Sequence, residues 1–352
     1  MDKATLKEVF AKKVSRRDTT NEAYASRLSA LAKKYGKFKE EEFTNWEFLK
    51  DTADVLKFIT ERPTTRKDKD GNPKKPSDAT TIGVLTPIIE YLNLIEEHIL
   101  SEEYYKVKKV LDDKVIGSYQ KGKSLTENQE ENMISYEDLV DYMVKIEDEI
   151  KIINDKPLKT HLDEWRIVDL ENLRVLMRLY VLHPSRNEYA TLKFINMKDY
   201  KKLKQPEFNY VVVGTKKIFL SITSYKTSEK YGVKLTDVED KALIKMLRDL
   251  KKTRDIEGRD HLFYLTKTPD EPWSNYTVTN IMTKISKQLI GKSIGSTLLY
   301  KIIIQEAGIN YNDALQNGDL DKAVKYDQIL AKYAKTRGHS QAIQKLVYVT
   351  DK

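Results

Sequence analysis

The sequence predicts a mainly α-helical protein in two domains, with a small antiparallel β-sheet confined to the second. Three observations lead there. Apolar residues recur at three- and four-residue spacing through most of the chain, as in Ile82, Leu85, Ile88, Ile89, Leu92 and Ile95. One stretch, from Phe208 to Ile222, is instead dense in β-branched and aromatic residues around a glycine turn. At 352 residues the chain outgrows what one core usually serves, roughly 250 residues, and a polar tract at 117–133 divides it.

Residues 1–17 carry Lys12, Lys13, Arg16 and Arg17 and read as a basic N-terminal arm, solvated or touching phosphate. Asp18-Thr19-Thr20 offers an N-cap for a helix bearing Ala23, Tyr24, Leu28, Leu31 and Ala32, which Gly36 should end. Phe43, Trp46, Leu49, Val55, Leu56 and Ile59 supply a second helical segment, stopped near Pro63. The loop from Thr64 to Ser77 is rich in Lys, Asp, Gly and Pro and contains Lys67, Lys69, Lys74 and Lys75. Ala79 to Leu100 and Tyr104 to Val115 return to helix, so residues 18–116 form a helical bundle with one basic loop.

Residues 117–133 are nearly free of apolar side chains and read as a linker. The second domain, 134–352, opens on Ser135-Tyr136-Glu137-Asp138, a capping box for a helix with Leu139, Val140, Met143, Ile146 and Ile150. Two helical segments are expected over Leu158 to Leu182. Pro184 stops them and leaves Arg186 on the first turn of another helix. Phe208 to Val213 and Lys217 to Ile222 form a hairpin about Gly214-Thr215-Lys216. A third short strand, Gly232 to Leu235, follows the turn at Tyr225-Lys226-Thr227. Helices are predicted over Asp237 to Leu250, Asn275 to Leu289, Ser296 to Ala307 and Leu315 to Ala331.

Composition removes whole classes of chemistry. There are no cysteines, which excludes disulfides, thiolate metal sites and cysteine nucleophiles. The N-terminus lacks the apolar core of a signal peptide, and no apolar run approaches the ~20 residues of a membrane span, so a soluble intracellular protein is expected. Lys+Arg 62 against Asp+Glu 54 gives a net charge of +8, which suits a polyanionic partner if clustered on one face.

The chain ends on Arg337-Gly338-His339-Ser340 with Tyr348 nine positions after the histidine. A turn of that kind can hold an imidazole beside a phosphate while the next helix brings a phenol to the phosphorus. Tyrosine is a weak nucleophile while protonated, so it needs a base and cations that take up phosphate charge. Singly, Arg186, Lys226, His339 and Tyr348 are equally a surface arginine, a solvated lysine, a turn histidine and a packing tyrosine. Their joint order is more specific.

An arginine after Pro184-Ser185, a lysine in a β-turn, a helix over Ile294 to Lys301, Gly-His and a tyrosine together resemble the tyrosine recombinase (phage-type integrase) family. The resemblance is best over 134–352. The stretches Pro184-Ser185-Arg186-Asn187-Glu188-Tyr189 and Tyr225-Lys226-Thr227 are nearest to members carried by large DNA viruses and their mobile elements. The first domain is similar to the family's helical core-binding domain. The resemblance implies DNA integration or recombination through a 3′-phosphotyrosine intermediate, with Tyr348 as nucleophile. Arg186 would hold non-bridging oxygens, with Glu188 supporting it. Lys226 would protonate the leaving 5′-oxygen, and His339 would bond the phosphate or relay a proton. It further implies double-stranded DNA as partner, bound by Lys67, Lys69, Lys74 and Lys75 among others. A dimer to tetramer would assemble on that DNA, in host cytoplasm, nucleus or viral factory. No nucleotide, metal or other cofactor is implied, because the phosphotyrosine stores the bond energy.

One position departs from the family pattern. Tyr300 stands where the second arginine of the His-x-x-Arg motif belongs, and Thr297 stands in place of its histidine. Loss of one guanidinium should cost several kcal/mol of barrier, hence orders of magnitude in rate. Lys301 would point about 100° away around the helix. Two alternatives therefore accompany the enzyme reading: a catalytically impaired DNA-binding paralogue, or a type IB topoisomerase, which shares the phosphotyrosine chemistry.

Overall fold

Helix starts in this chain are written by short polar side chains. Asp2, Ser77, Thr126, Ser135, Thr160, Asp240 and Ser274 each accept a hydrogen bond from the backbone N–H three residues on, satisfying donors that the helix itself leaves open. The computed structural model describes residues 1–13, 16, 18–65, 71–120, 125–268, 270–338 and 344. It is mainly helical and divides into two compact units, Met1–Lys121 and Gly122–Lys352.

The first unit contains α1 (Lys3–Ala11), α2 (Asp18–Lys39), α3 (Thr52–Glu61), α4 (Asp78–Leu94) and α5 (His98–Gln120). Their core joins Leu28, Leu31, Leu49, Val55, Ile59, Leu85, Ile88 and Tyr104. Within the stretch read as a basic N-terminal arm, Lys3–Ala11 form α1. Leu6 and Phe10 of α1 are buried in this core. Lys13 and Arg16 pair with Glu90, and Arg16 also lies over the Tyr24 ring. The single Glu90 carboxylate thus offsets one of these two charges. Gly36 does not end α2, which runs on to Lys39. A Cβ there would stand 2.5 Å from the Glu41 carbonyl oxygen, so the glycine admits a close backbone approach.

The second unit contains α6 (Glu127–Asn132), α7 (Tyr136–Asn154), α8 (His161–Leu182), α9 (Met197–Tyr200), α10 (Ser228–Tyr231), α11 (Lys241–Glu257), α12 (Asn275–Ile290), α13 (Ser296–Gln316) and α14 (Leu320–Arg337). Its strands are β1 (Lys193–Asn196), β2 (Tyr210–Val213), β3 (Ile218–Ile222) and β4 (Lys234–Val238), in the order β1-β2-β3-β4. The capping box at Ser135 and Asp138 opens α7. The segment read as linker contains α6, whose own box pairs Thr126 with Gln129. Asn132 of α6 accepts from the Ser293 amide at 2.6 Å, and the Glu131 carbonyl accepts from Lys292 at 2.6 Å.

The sheet is mixed, which corrects the antiparallel expectation. The β2–β3 hairpin forms at Gly214, and β4 joins antiparallel. β1 is an added strand parallel to β2. It occupies the place where a helix after Arg186 was expected. A single 3-10 turn, Asn187–Thr191, is all of that helix that forms. One face of the sheet, Val211, Ile218, Leu220, Ile222 and Val238, joins the main core. The other, Tyr210, Val212 and Phe219, packs on Ile195, Met197 and Tyr200. α13 is buried almost all round, through Leu298, Leu299, Tyr300, Ile302, Ile303 and Ile304, as befits a helix at the centre of its unit.

Candidate active site

Arg186 follows Pro184 and Ser185 with an extended backbone, at the residue before the 3-10 turn. Tyr180 of α8 fixes it there, donating its hydroxyl to the Arg186 carbonyl at 2.8 Å and to Asn187 Oδ1 at 3.0 Å. Asn187 in turn donates to the Asn275 carbonyl (2.8 Å) and Thr279 Oγ1 (3.1 Å) of α12. Glu188 is 8% exposed and accepts from Ser185 Oγ at 2.8 Å. The Arg186 guanidinium makes no ion pair among the described residues, and its Nη1 is buried without a hydrogen-bond partner there. A buried donor left open costs about 1–3 kcal/mol.

Asn209 ties this loop to the lysine turn. Its Oδ1 accepts from the amides of Thr223 (2.9 Å) and Ser224 (2.8 Å). Its Nδ2 donates to the carbonyls of Ser224 (3.1 Å) and Glu188 (3.3 Å). Asn209 is 2% exposed. Nothing in the sequence marked it, since an asparagine ahead of a strand is ordinary. Beyond it Tyr225 is buried and donates to the Gly232 carbonyl at 2.7 Å, which leaves Lys226 exposed at the turn. Thr227, the next residue, donates its hydroxyl to the Gly338 carbonyl at 3.1 Å across 111 positions of sequence.

The far side of the site is the end of α14. Lys234 of β4 donates to the Thr336 carbonyl at 2.9 Å and lies 3.6 Å from the Tyr225 ring centroid. Burial lowers its pKa to about 8, with Glu188 opposing the shift and Arg186 adding to it. Arg186, Glu188 and Lys234 therefore share one electrostatic neighbourhood. Arg337 is 4% exposed. It donates Nη1 to the Ser185 carbonyl at 2.8 Å, and its guanidinium carbon lies 3.9 Å from the Tyr300 ring centroid. Gly338 caps the helix in the left-handed region, φ 75 and ψ 47. A Cβ there would lie 2.6 Å from Thr227 Oγ1 and 3.0 Å from Lys234 Nζ. Only a glycine lets the three segments close to this distance.

Tyr300 is 1% exposed and donates its hydroxyl to Gln344 Oε1 at 2.8 Å. Gln344 itself donates to the Leu330 carbonyl at 2.8 Å. Thr297 is exposed on the first turn of α13, outside this network. Lys301 turns away, donating to Gln129 Oε1 of α6 at 3.1 Å. Among the expected phosphate contacts of the first unit, Lys75 is exposed and Lys74 half-buried. The Lys74 carbonyl accepts from both the amide and the hydroxyl of Thr64, at 2.9 and 2.8 Å. His339, Tyr348, Lys67 and Lys69 lie outside the described residues. No helix among the described residues is long and apolar enough to cross a membrane. Searches of protein-family models, curated proteins and solved structures return no match to this chain.

Proposed function

We propose that the chain is a tyrosine-type DNA strand transferase, a site-specific recombinase or integrase acting on double-stranded DNA. The observation that carries this reading is the meeting of three segments that are remote in sequence. The Lys226–Thr227 turn bonds to Gly338, and the residue before Gly338 bonds to the residue before Arg186. The segments that carry Lys226 and Arg186 thus both meet the end of α14, beside the residue that precedes His339. In the proposed reaction the Tyr348 phenol loses its proton to a base, His339 being the candidate. The phenolate oxygen bonds to phosphorus as the bond to the 5′-oxygen breaks. Lys226, an ammonium on an exposed turn, protonates that oxygen. Arg186 holds the non-bridging oxygens through its planar fork, and attack by a 5′-hydroxyl from a second duplex reverses the steps. Exchange needs protomers on each duplex, so a dimer to tetramer is expected on DNA.

Tyr300 favours one rival, a paralogue that binds such sites without exchanging strands. A single assay separates the readings. Nicked duplexes of randomised sequence are incubated with the protein, and protein–DNA adducts are resolved on a denaturing gel. A recombinase gives an adduct confined to a subset of sequences. Tyr348→Phe abolishes it, and Arg186→Ala weakens it about 10²–10³-fold, as for loss of one charge-stabilising donor. The absence of any adduct on DNA bound with the usual salt dependence would leave the paralogue. Adducts on every sequence, with relaxation of any supercoiled plasmid, would assign a type IB topoisomerase.

A further inference from the structure

We infer that Arg337 supplies the positive charge that α13 lacks, acting from the end of α14 as a positioning residue for Arg186. The inference rests on the strand-transferase reading above. The sequence of α13 puts Tyr300 where a second arginine would stand, which on its own looks like a loss. In the folded chain that ring is covered by a guanidinium, 3.9 Å from its centroid. An aromatic face is one of the few neutral surfaces that holds a buried guanidinium favourably. Tyr300 is therefore a platform for a cation delivered by another helix, and its hydroxyl is anchored by Gln344.

Arg337 is also aimed. Its Nη1 donates to the Ser185 carbonyl at 2.8 Å, on the peptide that leads into Arg186, so it fixes the backbone from which the phosphate-binding side chain projects. Its charge is felt at the Tyr180 hydroxyl together with that of Glu188, and that hydroxyl bonds the Arg186 carbonyl. A leucine or methionine would fill the same space at the end of α14 without the desolvation that a buried guanidinium carries. Guanidinium keeps its charge on burial. The charges of Glu188 and Arg186 both act on Lys234, and the Arg186 Nη1 has no hydrogen-bond partner among the described residues.

The test uses the full chain, on a nicked duplex whose sequence is recovered from the randomised trapping. One version carries an ordinary scissile phosphate. The other carries a methylphosphonate, in which a methyl group replaces one non-bridging oxygen and removes one negative charge. Arg337→Met should form the Tyr348-dependent adduct about 10²-fold more slowly than the unmodified chain on the phosphodiester, because Arg186 is then no longer held where it meets the transition-state charge. DNA affinity should change little. On the methylphosphonate the two proteins should react within about tenfold of each other, because less charge then needs to be met. Arg337→Lys should fall between them on the phosphodiester. Equal slowing of Arg337→Met on both substrates would show a merely structural role and overturn the inference, as would unchanged rates on both. If the unmodified chain forms no Tyr348-dependent adduct, the strand-transferase reading fails and this inference with it. If it does form one and Arg337→Met matches it, only the inference fails.

Discussion

Gly338→Ala should destabilise the second unit far more than a left-handed glycine ordinarily would. Gly291 is the internal reference. It caps α12 with φ 71 and has nothing within 4 Å of a built Cβ. Its replacement by alanine meets only the left-handed penalty, about 1–2 kcal/mol. Gly338, at φ 75, meets the same penalty and two contacts besides. Relief of the 2.6 Å approach requires Thr227 to swing away and give up its bond to the Gly338 carbonyl, about 1 kcal/mol for a neutral bond. Relief of the 3.0 Å approach moves Lys234 off the Thr336 carbonyl, about 1.5–3 kcal/mol for a charged donor. The difference between the two variants is then about 2–4 kcal/mol. For a unit of this size it appears as an extra fall of roughly 5–15 °C in Tm. Thermal unfolding followed by circular dichroism, with Gly291→Ala beside Gly338→Ala, measures it. Equal shifts in the two variants would mean that the Thr227 turn does not rest on Gly338, and the assembly of the site would have to be rebuilt.

Two further outcomes follow from single residues. Lys301 is 5% exposed, and burial lowers its pKa from 10.5 to about 8. Below pH 8 the full cost of holding that charge inside is present. Between pH 8 and 10.5 the unfolded chain binds more protons than the folded one, so stability rises with pH. At 1.36 kcal/mol per unit the gain is at most about 3 kcal/mol. Urea midpoints at pH 7.5 and 10 should show the rise, and Lys301→Met should flatten it while raising stability at the lower pH. Asn209→Ala removes two acceptor and two donor bonds that join the Glu188 loop to the lysine turn. It should cost about 2–4 kcal/mol in denaturant unfolding, the usual result of leaving buried backbone amides open. An effect below 1 kcal/mol would show that other contacts hold the two loops together.

The features that could be read in advance are those whose physics is local. A serine with an acidic residue three on gave the start of α7, a proline ended α8 near its expected place, and two runs of β-branched and aromatic residues about Gly214 gave the β2–β3 hairpin. Features that depend on distant partners were misread or missed. β1 is four residues long and carries no periodicity of its own. It exists because Lys193 to Asn196 finds a parallel neighbour in β2, which turned an antiparallel sheet into a mixed one. Residues 3–11 look like part of a charged arm until Leu6 and Phe10 are found in the core of the first unit, with Lys13 and Arg16 sharing the one carboxylate of Glu90. Arg186, Lys226 and Tyr300 stood out by their order along the chain. Arg337 was one of 62 basic residues, and only its contacts with Ser185 and Tyr300, 152 and 37 positions away, distinguish it.

The pairing of Tyr300 with Arg337 reverses a simple expectation. From sequence alone, Tyr300→Arg looks like a repair. In the folded chain it would bring a second guanidinium into the space beside Arg337, with both groups buried. Two like charges about 4 Å apart repel by about 4 kcal/mol at an effective dielectric constant of 20. The aromatic support for Arg337, about 0.5–2 kcal/mol, and the bond to Gln344 would go as well. Tyr300→Arg should therefore destabilise the unit by several kcal/mol and weaken adduct formation. Adding Arg337→Leu should relieve the repulsion and recover much of both, because one cation then occupies the position from α13 instead of α14. Denaturant unfolding of the four proteins closes a double-mutant cycle. Contacting residues in such cycles couple by about 0.5–3 kcal/mol, and here the coupling should lie at the upper end and favour the double variant. Additive effects would mean that Tyr300 and Arg337 do not share one charge position, and the exchange of roles between the two helices would have to be abandoned.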